Sequence, residues 1–148
     1  VVFQGATELT LDAKGRLAVP TRHREGLTSG SAQVVLTAHP DGCLLLYPRL
    51  AWEPIRGRIQ ALGDFSEQSR WWKRLLVGYA EEVEPDGSGR ILVSPTLRKY
   101  AGLDKQLMLV GQGSHFEVWN VATWSERLQS AMAMAASSPP PGTENFSL

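Results

Sequence analysis

The amino-acid sequence predicts an α+β protein, mainly β with helices, built from two tandem repeats with connecting and C-terminal helices. Three observations carry that expectation. The stretch Asp12-Ala13-Lys14-Gly15-Arg16 returns 74 positions later as Asp86-Gly87-Ser88-Gly89-Arg90, and the register holds without a gap over residues 11–24 against 85–98. A self-similarity this long marks two copies of one supersecondary unit. Within each copy apolar and polar residues alternate with a period of two, as a half-buried strand requires. Between and after the copies the period lengthens to about 3.6, that of a helix face.

Thr7-Glu8-Leu9-Thr10-Leu11 and Arg16-Leu17-Ala18-Val19 both alternate, and the residues between them read as a tight hairpin turn. Asp12 can bond its own backbone there, and Gly15 supplies the positive φ that closes the turn beside a strand. Asp86 and Gly89 repeat both roles, so Arg16 and Arg90 sit at the same place just past a turn tip. Leu17 answers Ile91, Val19 answers Val93 and Arg24 answers Arg98. Residues 20–27 then read as a short helix, with Pro20 at its start and Gly26 near its exit. The second copy is better marked: Ser94 can cap, Pro95 suits the first helical position, and Gly102 can terminate after Arg98-Lys99-Tyr100-Ala101.

Gln33-Val34-Val35-Leu36-Thr37 and Cys43-Leu44-Leu45-Leu46-Tyr47 follow as apolar strands around the turn sequence His39-Pro40-Asp41-Gly42. Their counterparts are residues 106–110 and 116–119, around Gly111-Gln112-Gly113-Ser114. This part aligns at an offset of 72, pairing Tyr47 with Trp119 and Trp52 with Trp124, as a length change in a loop would leave it.

Residues 50–78 read as helical, with Trp52, Ile55, Ile59 and Leu62 near 3.6 spacing, a break at Gly63-Asp64, and Ser66 as the cap of a second helix. That helix carries Arg70-Trp71-Trp72-Lys73-Arg74-Leu75-Leu76. Basic residues beside tryptophans can stack bases or contact phosphate. The preferred reading packs Trp71 or Trp72 with Leu75 and Leu76 on the sheet and leaves the charges in solvent. After Asn120, a cap, Trp124, Leu128 and Ala131 or Met132 mark one face of a closing helix. Ser137-Ser138-Pro139-Pro140-Pro141-Gly142 cannot continue it, so the tail is expected to be disordered or held by a neighbouring chain. The division is 7–53 for the first repeat, 54–78 for the connecting helices, 79–124 for the second repeat and 125–148 for the C-terminal helix and tail. One repeat alone exposes strand edges and half a core, so the two are expected to form one structural unit.

The totals bound the function. At 148 residues, with 43% hydrophobic and 8% aromatic, the chain can bury a real core. No apolar run approaches the roughly 18 residues that span a bilayer, and no secretory signal opens the chain, so a soluble, cytoplasmic protein without a membrane partner is expected. Cys43 is the single cysteine, which excludes an internal disulfide. The formal net charge is zero, but residues 54–76 hold five basic against two acidic residues, a net of +3, and residues 77–148 hold five against eight, a net of −3. Any attraction for phosphate must come from local patches, and weak patches need many copies. An enzyme would have to use His39, Asp41 and Cys43 in one turn, or His23 and His115. A turn gives His-x-Asp-x-Cys no rigid three-ligand geometry, and no Gly-rich phosphate cradle or helical His-Glu motif is present. No catalytic residue, metal, cofactor or small-molecule substrate is therefore expected.

Two paired repeats would bring Arg16 and Arg90 together on one face, with Lys14, Arg22 and Arg24 close in sequence to the first. Arginine can fork to guanine edges or phosphates, lysine acts as a point charge, and a two-stranded ribbon fits a major groove. Arg24 and Arg98 have a second reading, as buried partners of an acidic residue.

Leu11-Asp12-Ala13-Lys14-Gly15-Arg16-Leu17-Ala18-Val19-Pro20, Asp86-x-x-Gly89-Arg90-Ile91-Leu92-Val93, Ala101-Gly102-Leu103 and Met108-Leu109-Val110-Gly111 resemble the MraZ family of bacterial transcriptional regulators. The likeness covers most of residues 3–127. It implies two AbrB-like swapped-hairpin halves forming a double-split β-barrel, ring-shaped homo-oligomers, and repression of the protein's own division and cell-wall gene cluster. The implied partner is double-stranded DNA at promoter direct repeats, in a nucleoid-associated protein. Lys14, Arg16 and Arg90 would face that DNA, with Arg22, Arg24 and Arg98 as further candidates and Asp12, Gly15, Asp86 and Gly89 shaping the turns. Ser88 replaces the lysine in the second copy, and Ser94 stands where the first has Pro20. The rival reading is a ring-forming structural or protein-interaction module without sequence-specific DNA binding.

Overall fold

A computed structural model describes residues 1–137 and 139–147, the side chains at 136 and 137 excepted. The Asp12 turn closes as its chemistry predicts: the Gly15 N–H donates to the Asp12 carbonyl at 2.9 Å, and the Asp12 N–H to the Arg16 carbonyl at 2.9 Å. The two strands it joins then part, which corrects the hairpin reading. Strand β1 (Ala6–Thr10) pairs with β7 (Gln106–Gly111) of the second repeat, and β2 (Arg16–Ala18) pairs with β6 (Arg90–Leu92). The exchange is reciprocal, for β5 (Glu81–Val83) pairs with β3 (Val34–Ala38) of the first repeat. Turn chemistry specifies a reversal of the chain but not the partner of each strand. That choice falls to the core, which Leu17 and Ile91 enter from one side while β1 and β5 extend the sheet on the other.

The hairpins β3–β4 (β4, Leu44–Pro48) and β7–β8 (β8, Phe116–Asn120) form as expected and join through β4 and β8. The result is a six-stranded sheet in the order β1-β7-β8-β4-β3-β5, facing the two-stranded ribbon β2-β6 across one core. All pairs are antiparallel. A pseudo-twofold axis runs through this split, swapped arrangement. Leu17 pairs with its own counterpart Ile91, and Leu45 with its own counterpart Glu117.

Strands β3 and β4 are apolar at nearly every position because both of their faces are covered. Val34, Leu36, Leu44 and Leu46 enter the main core with Leu17, Val19, Ile91, Val93, Leu97, Leu107, Leu109, Phe116 and Val118. Val35, Leu45 and Tyr47 meet Trp52, Ile59 and Leu76 on the other face.

Helix α1 (Thr21–Leu27) starts after Pro20, which offers no side-chain cap, and it contains Gly26 rather than ending on it. A Cβ on Gly26 would lie 3.0 Å from the Phe3 ring, so that glycine serves packing. Helix α2 (Arg49–Gln60) carries Pro54 in its interior. Helix α3 (Glu67–Trp72) starts on Ser66, whose hydroxyl accepts from the Ser69 N–H at 3.3 Å, and continues as a π-helical stretch over Lys73–Val77. That wide turn corrects the placement of the tryptophans. Regular spacing would set Trp72 above Leu76, but the π turn shifts the phase. Leu76 is buried and Leu75 half-buried, whereas Trp71 and Trp72 stay 51% and 48% exposed.

Helix α4 (Pro95–Ala101) has its expected cap, with the Leu97 N–H on Ser94 Oγ at 3.3 Å, and ends on Gly102 at φ 60°. Helix α5 (Val121–Ser137) is capped by Asn120 through the Thr123 N–H at 3.0 Å. Of its expected apolar face only Trp124 is packed, against Trp119, and Leu128, Ala131 and Met132 stay exposed. The reading of the tail as disordered or neighbour-held falls in part on Ser138 and Leu148, which lie outside the described residues. Among the described residues no helix is long and apolar enough to cross a membrane.

Candidate nucleic-acid interface

The antiparallel ribbon β2-β6 carries one turn at each of its two ends, Arg16 lying opposite Leu92 and Arg90 opposite Ala18. In each turn one carboxylate organises everything around it. Asp12 Oδ1 accepts from the N–H groups of Lys14 at 2.9 Å and Arg16 at 2.8 Å, and Asp12 Oδ2 accepts from Arg16 Nε at 2.8 Å. Asp86 does the same for Ser88, Arg90 and Arg90 Nε, at 2.9, 3.0 and 2.7 Å. Both carboxyls are held below the usual range, first by the backbone N–H of the following arginine. Because the aspartate holds Nε, the outer edge of each guanidinium is left to reach outward.

The crossed pairing adds one contact that the turn motif does not contain. Arg16 Nη1 lies 3.9 Å from Asp86 Oδ2, so Asp86 serves both arginines while Asp12 serves one. Arg16 is correspondingly more enclosed, with a side chain 25% exposed against 40% for Arg90. Lys14 stands exposed at the first tip, and its ammonium has no ion pair among the described residues. Ser88 occupies the same place at the second tip.

Neither expectation for Arg24 and Arg98 describes their packing in full. Each is half-buried and, among the described residues, bonds no acid; its Nε donates to the carbonyl just before its own helix, Arg24 to Val19 at 2.9 Å and Arg98 to Val93 at 3.0 Å. Each then lies over the turn of the other repeat. A Cβ on Gly15 would stand 2.9 Å from Arg98 Cζ, and one on Gly89 would stand 2.8 Å from Arg24 Cζ. Two backbone bonds follow the same crossing, from the Val19 N–H to Gly89 O and from the Val93 N–H to Gly15 O, both 2.9 Å. Arg22 departs from this group, for it points toward β1 and donates to Thr7 Oγ1 at 3.2 Å.

The two turns differ in their surroundings. An open pocket beside the second turn is lined by Glu25, Glu84 and Asp86 around Arg24. At the positions equivalent to Glu25 and Glu84 the other copy has Lys99 and Thr10. The first turn is thereby the more cationic, through Lys14 and Lys99. Lys99 escaped the sequence reading because its signal is a charge difference between aligned copies, outside the repeated motif.

The groups weighed for catalysis are dispersed. His23 is buried between Phe3 and Phe116, with ring centroids 6.0 and 4.9 Å away, and burial lowers its pKa. His115 stacks on Tyr47 at 4.4 Å. His39 Nδ1 accepts from the Asp41 N–H at 3.0 Å, and Cys43 is buried with its thiol pushed far up by desolvation. Among the described residues no group of three His, Cys, Asp or Glu is placed to hold a metal ion.

A family model described as "MraZ protein, putative antitoxin-like" matches the chain twice, over residues 2–75 and 76–141. Similar proteins include the transcriptional regulator MraZ of Methylobacillus flagellatus, 57% identical over 99% of this chain and 100% of its own length. The protein of the same name from Azoarcus sp. is 50% identical over 99% of this chain and 100% of its own. That from Cupriavidus taiwanensis is 52% identical over 99% of each chain.

Proposed function

This chain belongs to the MraZ family, and on that premise we propose that it is a sequence-specific, DNA-binding transcriptional regulator that represses its own division and cell-wall gene cluster. The observation that carries the reading is the pair of aspartate-braced arginines, Arg16 and Arg90, set diagonally across one short ribbon, each just past a turn tip. A short ribbon with a braced guanidinium at each end suits base edges in a major groove, and an exposed lysine at the tip suits a phosphate. The two repeats act as one binding unit, and the first turn, with Lys14 and Lys99 near it, makes the larger share of the contacts. Arg24 and Arg98 support the turns from behind. The protein works in the cytoplasm, on the nucleoid, without a cofactor and without catalysis.

A neutral chain neutralises few phosphates per subunit, so one subunit binds weakly. Joining several subunits in a ring makes each later contact intramolecular, which raises avidity by about 10² to 10⁴. The partner is accordingly a set of direct repeats about one helical turn apart, roughly 10 base pairs, so that successive subunits meet the same face of the duplex. The test is a footprint and a shift titration on the DNA upstream of its own gene, with and without half a helical turn inserted between repeats. Equal affinity for both templates rules out the multivalent reading. The neutral charge also fits a ring that binds no DNA, and absence of any salt-dependent shift would select that alternative.

A further inference from the structure

On the sheet face turned away from the ribbon, where Leu45 and Tyr47 meet helix α2, the packing leaves a cavity of about 390 Å³ open to solvent. Leu45, Ile55, Ile59 and Leu76 give it apolar walls, and Trp72 forms one edge. That edge exists because the helix changes type beside it. Regular spacing would stack Trp72 over Leu76, whereas the π stretch buries Leu76 and leaves Trp72 about half exposed, and wide turns of this kind are frequent at functional sites. Volume and lining suit a small planar molecule, for ligand sites are concave, mostly apolar and furnished with a few polar groups.

The polar groups here share one character. Among the described residues the titratable side chains lining the cavity are His39, Tyr47 and Arg58, and no acid is among them. Tyr47 is 5% exposed and its hydroxyl has no hydrogen-bond partner among the described residues, whereas the Tyr100 hydroxyl donates to the His39 carbonyl at 2.7 Å. A buried polar group is ordinarily bonded, so the Tyr47 hydroxyl is a donor still to be used. Arg58 is exposed and unpaired among the described residues, although the other arginines of α2 are held, Arg49 by Glu82 and Arg56 by Glu53. His39 Nδ1 accepts from the Asp41 N–H, which leaves Nε2 as the donor of the neutral ring. Two acids stand near the cavity but outside its lining: Asp41 lies 3.7 Å from His39 Nδ1, and Glu117, whose charge reaches Tyr47, accepts from Trp119 Nε1 at 3.0 Å. We propose that this cavity binds a small aromatic carboxylate, its ring against Trp72 and the apolar walls and its carboxylate held by the Arg58 guanidinium and the Tyr47 hydroxyl. A cation of the same shape is repelled by Arg58. The site lies across the sheet from the ribbon and does not depend on the reading of the turns.

The experiment titrates the full chain by calorimetry, without DNA, with three molecules of one shape: naphthoate, the neutral naphthamide and the cationic naphthylmethylamine. The expected result is one naphthoate per chain, bound at least about tenfold more tightly than the amide, with the amine weakest. Arg58→Gln should abolish the preference for naphthoate over the amide. Tyr47→Phe, which keeps the ring and its stack on His115, should weaken naphthoate several-fold. Both proteins should keep the wild-type circular dichroism spectrum, since one change is at an exposed side chain and the other removes a single hydroxyl. Absence of saturable binding of naphthoate at millimolar concentration would overturn the proposal. So would an amine bound as tightly as the carboxylate, or a folded Arg58→Gln protein that retains the full preference.

Discussion

Arg24 occupies the space that a side chain on Gly89 would need: a Cβ there would lie 2.6 Å from Arg24 Cδ. Since Gly89 belongs to one repeat and Arg24 to the other, the tightest contact at the turns is between repeats, and Arg98 makes the same contact over Gly15. The glycine is thus required twice, by its φ of 73° and by its neighbour.

That double requirement ranks the glycines. Gly42 has a φ of 91° with nothing within 4 Å of its Cβ position, so Gly42→Ala bears only the backbone cost, about 1 to 2 kcal/mol. Gly89→Ala should cost more in chemical denaturation. Adding Arg24→Ala to it should recover part of the loss, as a double-mutant cycle would read. Equal costs at the two glycines would show that the crossed contact carries nothing.

Arg16→Ala should weaken specific DNA binding by about 1 to 3 kcal/mol while the circular dichroism spectrum stays that of wild type. Asp12→Asn should weaken it less, since the amide loses the charge on Nε but keeps the turn-side acceptor. Unchanged affinity in folded Arg16→Ala protein would remove the first turn from the interface.

The two turns should also respond unequally to charge. Lys99→Glu should lower affinity and make it less salt-dependent, whereas Ser88→Lys should raise both. Shift titrations at several salt concentrations read the slopes. A larger loss from Arg90→Ala than from Arg16→Ala would reverse the assigned order of the turns.

Helix α4 depends on its cap more than α1 does. Ser94 accepts from the Leu97 N–H and donates to Glu81 Oε2 at 2.7 Å, tying the helix to the swapped strand β5. Ser94→Ala should cost about 0.5 to 2 kcal/mol in urea. A change below that range would mean that solvent replaces the hydroxyl at no cost.

Acid should act first through histidine. Burial lowers the pKa of His23 from its ordinary 6.5, with Arg22 adding to the effect, and burial lowers His115 as well. Folded His23 therefore resists a proton that the unfolded chain accepts, so its contribution is complete above about pH 6.5 and is lost as pH falls through the folded value. Asp12 and Asp86, also depressed, lose theirs only below the ordinary carboxylate range. Urea midpoints should fall between pH 7.5 and 5.5, and His23→Leu should flatten part of that fall. An identical slope in the variant would assign the whole effect elsewhere.

Local chemistry and repetition were readable in the sequence alone. The Asp12 and Asp86 turns, the Ser66, Ser94 and Asn120 caps, the Gly102 stop and both apolar hairpins each depend on residues a few positions apart, which one window of sequence contains. Only the tertiary structure decided which strands pair. The alternation in β1 and β2 fixes a core face for each strand but not its partner, and the exchange adds β1 to the six-stranded sheet and sets β2 with β6 across one core from it. The tertiary structure also decided the phase of α3, because the π turn over Lys73–Val77 shifts Leu76 relative to the tryptophans before it, so Leu76 is buried while Trp71 and Trp72 stay outward. It set Arg24 and Arg98 against glycines of the opposite repeat for the same reason: a contact across 65 or more positions exists only once the two copies have closed on each other.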